Sequence, residues 1–330
     1  MVEHKINVIK SISRFIKKNR RALAALLVLF ILMLIFIIIN SQVFLNPLMY
    51  KAIFKTLAMY IILSSAMVFV IASGEIDLSF GSIVGLAGWI FVLTIESGLS
   101  PYLGVLFALI AGALVGLING IIITRLGLSS LVSTIGMSFL IRGLIYVGTN
   151  GVGKPVVYLL DTPFYNVFIG NSIWGFPINM IWALGFVVLS VLLFNHHVFG
   201  AKISCVGDNL ESSREMGINV ATTKVLAFMY LGIASALVAV QFTLTNQIFY
   251  PGSGEGLLLI VLAAVFIGGT PGWGGIGTIE GAVFGACIMG VVNSGIIASG
   301  VSYLFKEFFY GLIIILALLG HKLNKSRWQS

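Results

Sequence analysis

The stretch GAKISCVGDNLESSREMGINVATTK, residues 200–224, is the only long and strongly polar interruption in an otherwise apolar chain. Asp208 and Glu211 have the spacing of a capping pair, in which the first side chain accepts N–H groups at a helix start and the second reaches back. Glu211 and Arg214 then share one helix face, and Gly217 can adopt the left-handed conformation that ends a helix. The pattern predicts a short, water-exposed helix of about two turns.

Two interpretations of this helix, predicted over Asn209 to Met216, remain open from the loop alone. It is either a solvated loop without a function or a docking element for a partner protein.

The composition identifies an integral membrane protein. Of the 330 residues, 59% are hydrophobic and only 9% are charged, which leaves too few polar side chains to cover a water-soluble globule of this size. Cys205 falls in the polar stretch and Cys287 in an apolar one, so the sequence does not suggest a disulfide framework.

The excess of basic residues matters through its position. A basic amino-terminal segment, residues 1–21, precedes the first apolar run, and the positive-inside rule places it in the cytoplasm. Its charge suits anionic membrane lipid better than nucleic acid, so we expect no nucleic-acid partner. The run Ala22 to Ile39 is longer than a signal-peptide core and has no small-residue cleavage site after it, which predicts a retained span.

Residues 22–320 are predicted to form a single transmembrane domain, in an all-α membrane protein with about ten spanning helices, some of them short and broken. The predicted spans are 22–39, 57–72, 81–95, 101–124, 128–147, 175–194, 225–244, 257–267, 278–298 and 302–319. An even number returns the tail, residues 321–330, to the side of the amino terminus. The three basic clusters, including the one in the polar loop, then share the cytoplasmic side.

Three polar stretches are predicted on the outer face. The first follows the Asn46-Pro47 break, where a segment containing Lys51 and Lys55 is expected to lie along the surface. The others are the turn-rich residues 149–174 and the stretch NQIFYPGSGEG, residues 246–256.

Two hydrophobic spans end in glycines at corresponding places. Gly81-Ser82-Ile83 after the second span is echoed by Gly277-Thr278-Ile279 after the eighth. Broken helices at matching places in two halves of a transporter point to a substrate path or gate. The alternative is close packing of small residues, for which Gly112-x-x-x-Gly116 and Gly281-x-x-x-Gly285 have the spacing.

The sequence lacks the common motifs of catalysis and of nucleotide binding. GxxxxGK[ST], HExxH, GxSxG and Cys/His ligand spacings are all absent, which argues against a nucleotide-binding, hydrolytic or metal-dependent chain. The ionisable residues at membrane depth are Glu75, Asp77, Arg142 and Glu280, few for an ion-coupled carrier. Asp77 is interpreted as the N-cap of the third span or as a substrate contact, and Glu280 and Arg142 as a candidate ion pair.

Four ordered blocks resemble the membrane subunits of bacterial ABC importers for monosaccharides, of the ribose, xylose and galactose type, and the resemblance extends from about residue 45 to residue 320. The blocks are SGEIDLSFGSIVGLAG (73–88), GLINGIIITRLGLSSLVSTIGMSFLIRG (116–143), GDNLESSREMGINV (207–220) and AAVFIGGTPGWGGIGTIEGAVFGA (263–286). The resemblance implies a permease in the bacterial cytoplasmic membrane, paired with an identical or related permease. Cytoplasmic ATPase subunits would hold ATP and Mg²⁺, an extracytoplasmic binding protein would deliver the sugar, and this chain would bind no cofactor.

The resemblance also implies roles for individual residues. The loop that couples to the ATPase corresponds to Gly207, Asp208, Asn209, Glu211, Arg214 and Gly217. The broken-helix or gate residues correspond to Ser73, Gly74, Asp77, Ser79, Gly81, Gly268, Gly269 and Thr270.

The chain departs from the family pattern at several acidic positions. Leu258 and Ile260 stand where the family usually has an acidic pair, and Glu255 lies nearby but out of register. Glu75 replaces a common glycine, and Glu280 an aliphatic residue. These changes leave the substrate open and would suit one member of an unequal pair of permeases.

A neutral polyol suits a path with few fixed charges and with hydroxyl, amide and aromatic groups. On the outer face, candidates to line such a path, or alternatively to anchor the interface, are Asn246, Gln247, Phe249 and Tyr250. The alternatives to a sugar importer are an ABC permease for nucleosides or branched-chain amino acids and an autonomous secondary transporter.

Overall fold

The computed structural model describes residues 20–170, 176–298 and 302–326, and most of these are helical. The helices are α1 (Arg20–Ile39), α2 (Ser41–Phe44), α3 (Pro47–Ala72), α4 (Phe80–Glu96), α5 (Pro101–Arg125), α6 (Ser130–Thr149), α7 (Pro163–Phe168), α8 (Ile178–Val191), α9 (Val198–Asp208), α10 (Leu210–Glu215), α11 (Val220–Asn246), α12 (Leu257–Ile267), α13 (Ile279–Ala298) and α14 (Lys306–Ser326). A π-helical turn, Leu192–His196, continues α8, and short 3₁₀ turns occupy Val157–Leu159 and Tyr303–Phe305.

Some predicted segments fall outside the described residues. These are most of the basic segment 1–21, the start of the predicted sixth span at Gly175, and the last four residues of the tail, 327–330.

Among the described residues, seven helices are long and apolar enough to cross a membrane, namely α1, α3, α5, α6, α8 with its π-helical turn, α11 and α13. Two shorter apolar helices, α4 and α12, complete the apolar set. The all-α membrane class is therefore confirmed. The predicted number of ten spans is not established, since α14, which contains most of the predicted span 302–319, is not among the seven.

The segment after the Asn46-Pro47 break is part of a spanning helix, and its predicted position along the outer surface was wrong. Pro47 is the first residue of α3, and the Asn46 side chain accepts a hydrogen bond from the N–H of Leu48 (2.9 Å). Proline at the first helical position lacks only an N–H that would be unpaired anyway. The break therefore starts a helix that includes Lys51 and Lys55.

Helix α11 lies at the centre of the bundle and contacts α3, α4 and α5. Its closest approach is to α5, where a methyl group on Gly112 would lie 2.3 Å from the carbonyl oxygen of Gly232, and one on Gly116 2.3 Å from that of Phe228. Glycines spaced by four residues allow two backbones to approach this closely. On α13, Gly285 makes the same kind of contact with Ala264 of α12, and Gly281 makes it with Gly268, directly after α12. The predicted small-residue packing is therefore confirmed for both pairs.

Burial separates central helices from peripheral ones. In the 18-residue apolar stretch of α3, 83% of the residues are buried, whereas in those of α1 and α6 only 11% and 17% are buried. Helices that expose apolar side chains all along their length face lipid or another membrane subunit.

The two stretches predicted to share the outer face do meet. Strand β1 (Lys154–Pro155) pairs antiparallel with β2 (Ile248–Phe249). The ammonium group of Lys154 also lies 3.1 Å from the Glu96 carboxylate at the end of α4. One end of the bundle therefore gathers the loop after α4, the loop after α6 and the loop after α11.

The stretch 249–254 then enters the bundle, which the prediction of a wholly outer position for residues 246–256 had missed. It follows a stripe of glycines on α4, so that Phe249 contacts Gly88, the carbonyl of Ser253 faces Gly85, and Gly254 packs against Gly81. From Gly88 to Gly81 the axis of α4 advances by about 10 Å. We call residues 249–256 the re-entrant segment; because it covers part of the depth, α12 has only 11 residues.

We predict that Gly116→Ala destabilises the protein by about 1–3 kcal/mol, because the new methyl group must displace the backbone of α11. The matched control is Gly136→Ala on α6, where the added methyl group meets nothing within 4 Å. Thermal unfolding in detergent, followed by size-exclusion chromatography with fluorescence detection, measures both. Equal melting temperatures for the two variants would contradict the close approach of α5 and α11.

Candidate coupling site

The predicted exposed helix is present as α10, six residues long. Asn209 begins it, because its side-chain oxygen accepts a hydrogen bond from the N–H of Ser212 (3.0 Å). Gly217 ends it in the left-handed conformation, with a φ of 77°. The N–H of Gly217 donates to the carbonyl of Arg214, and that of Ile218 to the carbonyl of Ser213. These paired bonds are the usual way in which a glycine terminates a helix.

The predicted N-cap, Asp208, was wrong by one residue. Asp208 is the last residue of α9, whereas Asn209 has the extended backbone that a capping residue needs, with φ −148° and ψ 111°. Both residue types cap helices well, so the sequence alone does not locate the end of the preceding helix.

Helix α10 has one buried face and one exposed face. Ser213 is buried, and its hydroxyl group donates to the carbonyl of Asn209 (2.8 Å). Glu211, Arg214 and Met216 are exposed. A charged surface with one exposed methionine is thus presented at the end of the bundle opposite the β1–β2 pair.

Gly207 joins this helix pair to the ends of two other elements. A methyl group on Gly207 would lie 1.8 Å from the carbonyl oxygen of Ala72 and 2.5 Å from the backbone nitrogen of Gly275. The N–H of Gly275 in turn donates to the carbonyl of Ala72 (2.9 Å). The end of α3, the loop after α12 and the polar loop therefore meet through backbone atoms at one point, the glycine junction of Ala72, Gly207 and Gly275.

The first helix break, residues 73–79, is held by side chains of α5 and α6. Asp77 is fully buried and accepts hydrogen bonds from the N–H and the hydroxyl group of Ser79 (both 2.6 Å). The amide of Asn119 donates to the Ser79 hydroxyl (2.8 Å) and lies 3.4 Å from the Asp77 carboxylate. The N-cap of α4 is Ser79, so the predicted N-cap, Asp77, was wrong by two residues. The Asp77 carboxylate instead closes a turn before the helix and is buried there.

Two hydroxyl groups on α6 satisfy the backbone of the same break. Ser130 accepts a hydrogen bond from the N–H of Ile76 (3.4 Å), and Thr134 accepts one from that of Leu78 (3.0 Å). Sequence reasoning missed these partners and Asn119. The one available signal for Asn119 was an isolated amide inside an apolar span.

The second break, which begins at Gly268, Gly269 and Thr270, is closed by a pair of threonines. The Thr278 hydroxyl donates to the carbonyl of Gly268 (2.7 Å), and the N–H of Thr278 donates to the Thr270 hydroxyl (3.2 Å). Both breaks therefore lie where the sequence placed them. Gly74 and Gly274 bring them into contact, because a methyl group on Gly274 would lie 2.8 Å from the Cα atom of Gly74.

An ion pair ties the first break to the central helix. Lys224 of α11 donates to the carboxylate of Glu75, and the two side chains are only 8% and 15% exposed. Both residues line an open groove of about 920 Å³, together with Leu210 and Arg214 of α10. The sequence had singled out Glu75 but offered no signal for its distant partner.

Glu280 and Arg142 do not form the predicted ion pair. Glu280 accepts a hydrogen bond from the side-chain amide of Asn195 (2.9 Å), in the π-helical turn after α8. Arg142 binds elsewhere, with Glu255 as its acidic neighbour. The sequence alone does not show which of several charged side chains form ion pairs in the folded chain.

The outer-face candidates differ in exposure. Asn246 and Tyr250 are exposed, Gln247 has a left-handed backbone with φ 59°, and Phe249 is fully buried against Gly88. Their role in a substrate path stays a prediction.

These features are those of a membrane transport subunit in which two helix breaks contact α9, the helix that leads into the water-exposed α10. The sequence profile described as "Branched-chain amino acid transport system / permease component" matches residues 49–318. The chain is 34% identical to the ribose import permease protein RbsC of Bacillus subtilis (strain 168), covering 88% of this chain and 89% of the relative. It is 32% identical to the L-arabinose ABC transporter permease protein AraH of Azospirillum brasilense, covering 84% and 80%. It is 31% identical to the autoinducer 2 import system permease protein LsrC of Yersinia enterocolitica, covering 92% and 82%.

No solved structure matches the chain. The chain belongs to this family of ABC importer permeases: it is a multi-pass membrane transport subunit and not an enzyme. Permeases of this family work with ATPase subunits and a binding protein.

We predict that Glu75→Gln and Lys224→Met each destabilise the protein by about 1–3 kcal/mol, because each leaves a largely buried charge without its partner. The double variant should recover much of this loss. Thermal unfolding of the single and double variants measures the coupling. The control is Glu96→Gln, which removes the exposed ion pair between Glu96 and Lys154. It should change the free energy of unfolding by about 0–1 kcal/mol. Additive losses in the double variant would contradict a direct interaction.

Proposed function

We propose that this chain is the permease subunit of an importer that carries a monosaccharide or a sugar-like small molecule, received from an extracytoplasmic binding protein and driven by ATP hydrolysis on separate subunits. The observation that carries the proposal is similarity, over most of both chains, to permeases whose names specify ribose, L-arabinose and autoinducer 2. The scarcity of charge at membrane depth agrees with an uncharged cargo.

Helix α10 is the proposed contact with the ATPase subunit. Its charged face is exposed, its two ends are fixed by Asn209 and Gly217, and α9 joins it to the glycine junction. A displacement of α9 and α10 cannot be absorbed at Gly207 without moving Ala72 or Gly275, because these atoms are already in contact. The ends of α3 and of the loop after α12 would therefore follow the motion of the ATPase.

We infer a topology and an assembly that agree with this arrangement. The polar loop and both termini would lie in the cytoplasm, and the β1–β2 pair would face the binding protein outside. ATP and Mg²⁺ would bind to the ATPase subunits, and a second permease, identical or related, would complete the membrane part in the bacterial cytoplasmic membrane. The peripheral helices α1 and α6 offer apolar surface to that second permease or to lipid.

The test is purification of the chain with the ATPase and binding protein encoded beside it, followed by measurement of ATP hydrolysis in lipid nanodiscs. We expect D-ribose or L-arabinose with the binding protein to increase hydrolysis. If only leucine, or only a nucleoside, increases ATP hydrolysis, the cargo is not a sugar. Leucine is included because the family description names branched-chain amino acids. Uptake into liposomes without any ATPase would overturn the importer proposal.

We predict that reversing charge on the exposed face of α10, with Glu211→Lys or Arg214→Glu, reduces both co-purification of the ATPase and ATP-driven uptake. Neither side chain is buried, so the melting temperature of the permease should stay nearly unchanged. The matched control for co-purification of the ATPase is Glu96→Lys, which reverses an exposed charge at the opposite end of the bundle. Full ATPase co-purification in both α10 variants would contradict the docking role.

A further inference from the structure

Arg142 lies near the middle of the 20-residue helix α6 and anchors the re-entrant segment. Its guanidinium group donates to the carbonyl of Pro251 (2.7 Å) and to the carbonyl of Gly81 at the start of α4 (3.2 Å). The side chain is 12% exposed. One arginine therefore connects three elements: α6, α4 and the segment that enters beside α4.

Glu255 lies on the same segment, with its carboxylate 3.7 Å from the Nε atom of Arg142. That distance is an ion pair beyond hydrogen-bond range. Among the described residues no donor forms a hydrogen bond to this carboxylate, and the side chain is 61% exposed. Its sequence neighbours, Gly254 and Gly256, have no side chains that could cover it.

An exposed carboxylate at this depth cannot face hydrocarbon. Ionisable groups inside membranes face a water-filled cavity or a polar partner, because transfer to lipid is expensive. Arg142 balances the charge of Glu255, so the pair as a whole adds no net charge to the space it faces. Such a surface repels neither an anion nor a cation strongly and leaves two carboxylate oxygens free to accept hydrogen bonds.

We propose that Glu255 lines the translocation path and determines specificity by accepting hydrogen bonds from two adjacent hydroxyl groups of the cargo. Arg142 is a positioning residue that holds the re-entrant segment and orients the carboxylate. The choice of a polyol as ligand rests on the proposed function; the position of Glu255 in a water-filled path does not.

The first experiment tests that position alone. Three single cysteines are introduced into a background of Cys205→Ser and Cys287→Ala: Glu255→Cys, Val152→Cys in an exposed loop, and Leu114→Cys on the exposed face of α5. The assembled complex in nanodiscs is treated with a small anionic methanethiosulfonate, which reacts with thiolates in water. We expect Cys at 255 to react nearly as fast as Cys at 152 and far faster than Cys at 114. Reaction as slow as that at 114 would overturn the proposal.

The second experiment tests the ligand, with uptake of D-ribose and of 2-deoxy-D-ribose into proteoliposomes that contain the complex and its binding protein. Glu255→Ala removes two hydrogen bonds between the cargo and a charged group, so it should raise the half-saturating D-ribose concentration about 100-fold or more. The preference for D-ribose over the deoxy sugar should fall. Glu255→Asp should lose less apparent affinity and less preference than Glu255→Ala. The control, Leu114→Ala, should leave the half-saturating concentration and the preference unchanged. An unchanged half-saturating concentration and preference in Glu255→Ala would overturn the specificity role.

The positioning role of Arg142 has its own readout. Arg142→Lys keeps the charge but cannot reach both carbonyl groups in the planar geometry of a guanidinium. We expect a raised half-saturating D-ribose concentration at an almost unchanged maximal rate. A fall in melting temperature with unchanged sugar dependence would show a purely structural role instead. If the wild-type complex carries no sugar at all, the proposed function fails, whereas the accessibility of position 255 is decided by the first experiment.

Discussion

The backbone groups freed where a spanning helix breaks must find partners inside the protein, because lipid offers none. This constraint accounts for the organisation of the end of the bundle that contains the glycine junction. The first break finds hydroxyl groups of α6 and the Asp77–Ser79–Asn119 cluster, and the second finds Thr270 and Thr278. Since Gly275 donates to Ala72, each break also helps to satisfy the other. The two breaks therefore form one structure.

That shared bonding explains why the polar loop lies where it does. Gly207 fits against the Ala72 carbonyl only because it lacks a side chain, so α9 approaches both breaks at backbone distance. Contacts between backbones have little freedom to shift relative to one another, and close-packed interfaces transmit displacement instead of absorbing it. The Glu75–Lys224 ion pair also connects the central helix α11 to the first break.

Hydropathy and glycine patterns predicted much of the fold from the sequence. The predicted span 257–267 coincides with α12, both breaks were located, and Gly217 ends α10 as expected. Other features depended on information that is not local. Asp208 and Asn209 cap equally well, and only the end of α9 decides between them. The partners of Arg142 and Glu75 come from distant parts of the chain, and the re-entrant segment resembles an ordinary outer loop in its composition.

The packing of the re-entrant segment on α4 determines which substitutions related permeases can tolerate in it. Gly81, Gly85 and Gly88 hold the segment by the shape of the α4 backbone and make few demands on the side chains that point away from it. Substitutions on its open side can accumulate while the route of the chain is kept. Single replacements in this short segment can therefore change the surface that it exposes without disturbing the packing of the long helices.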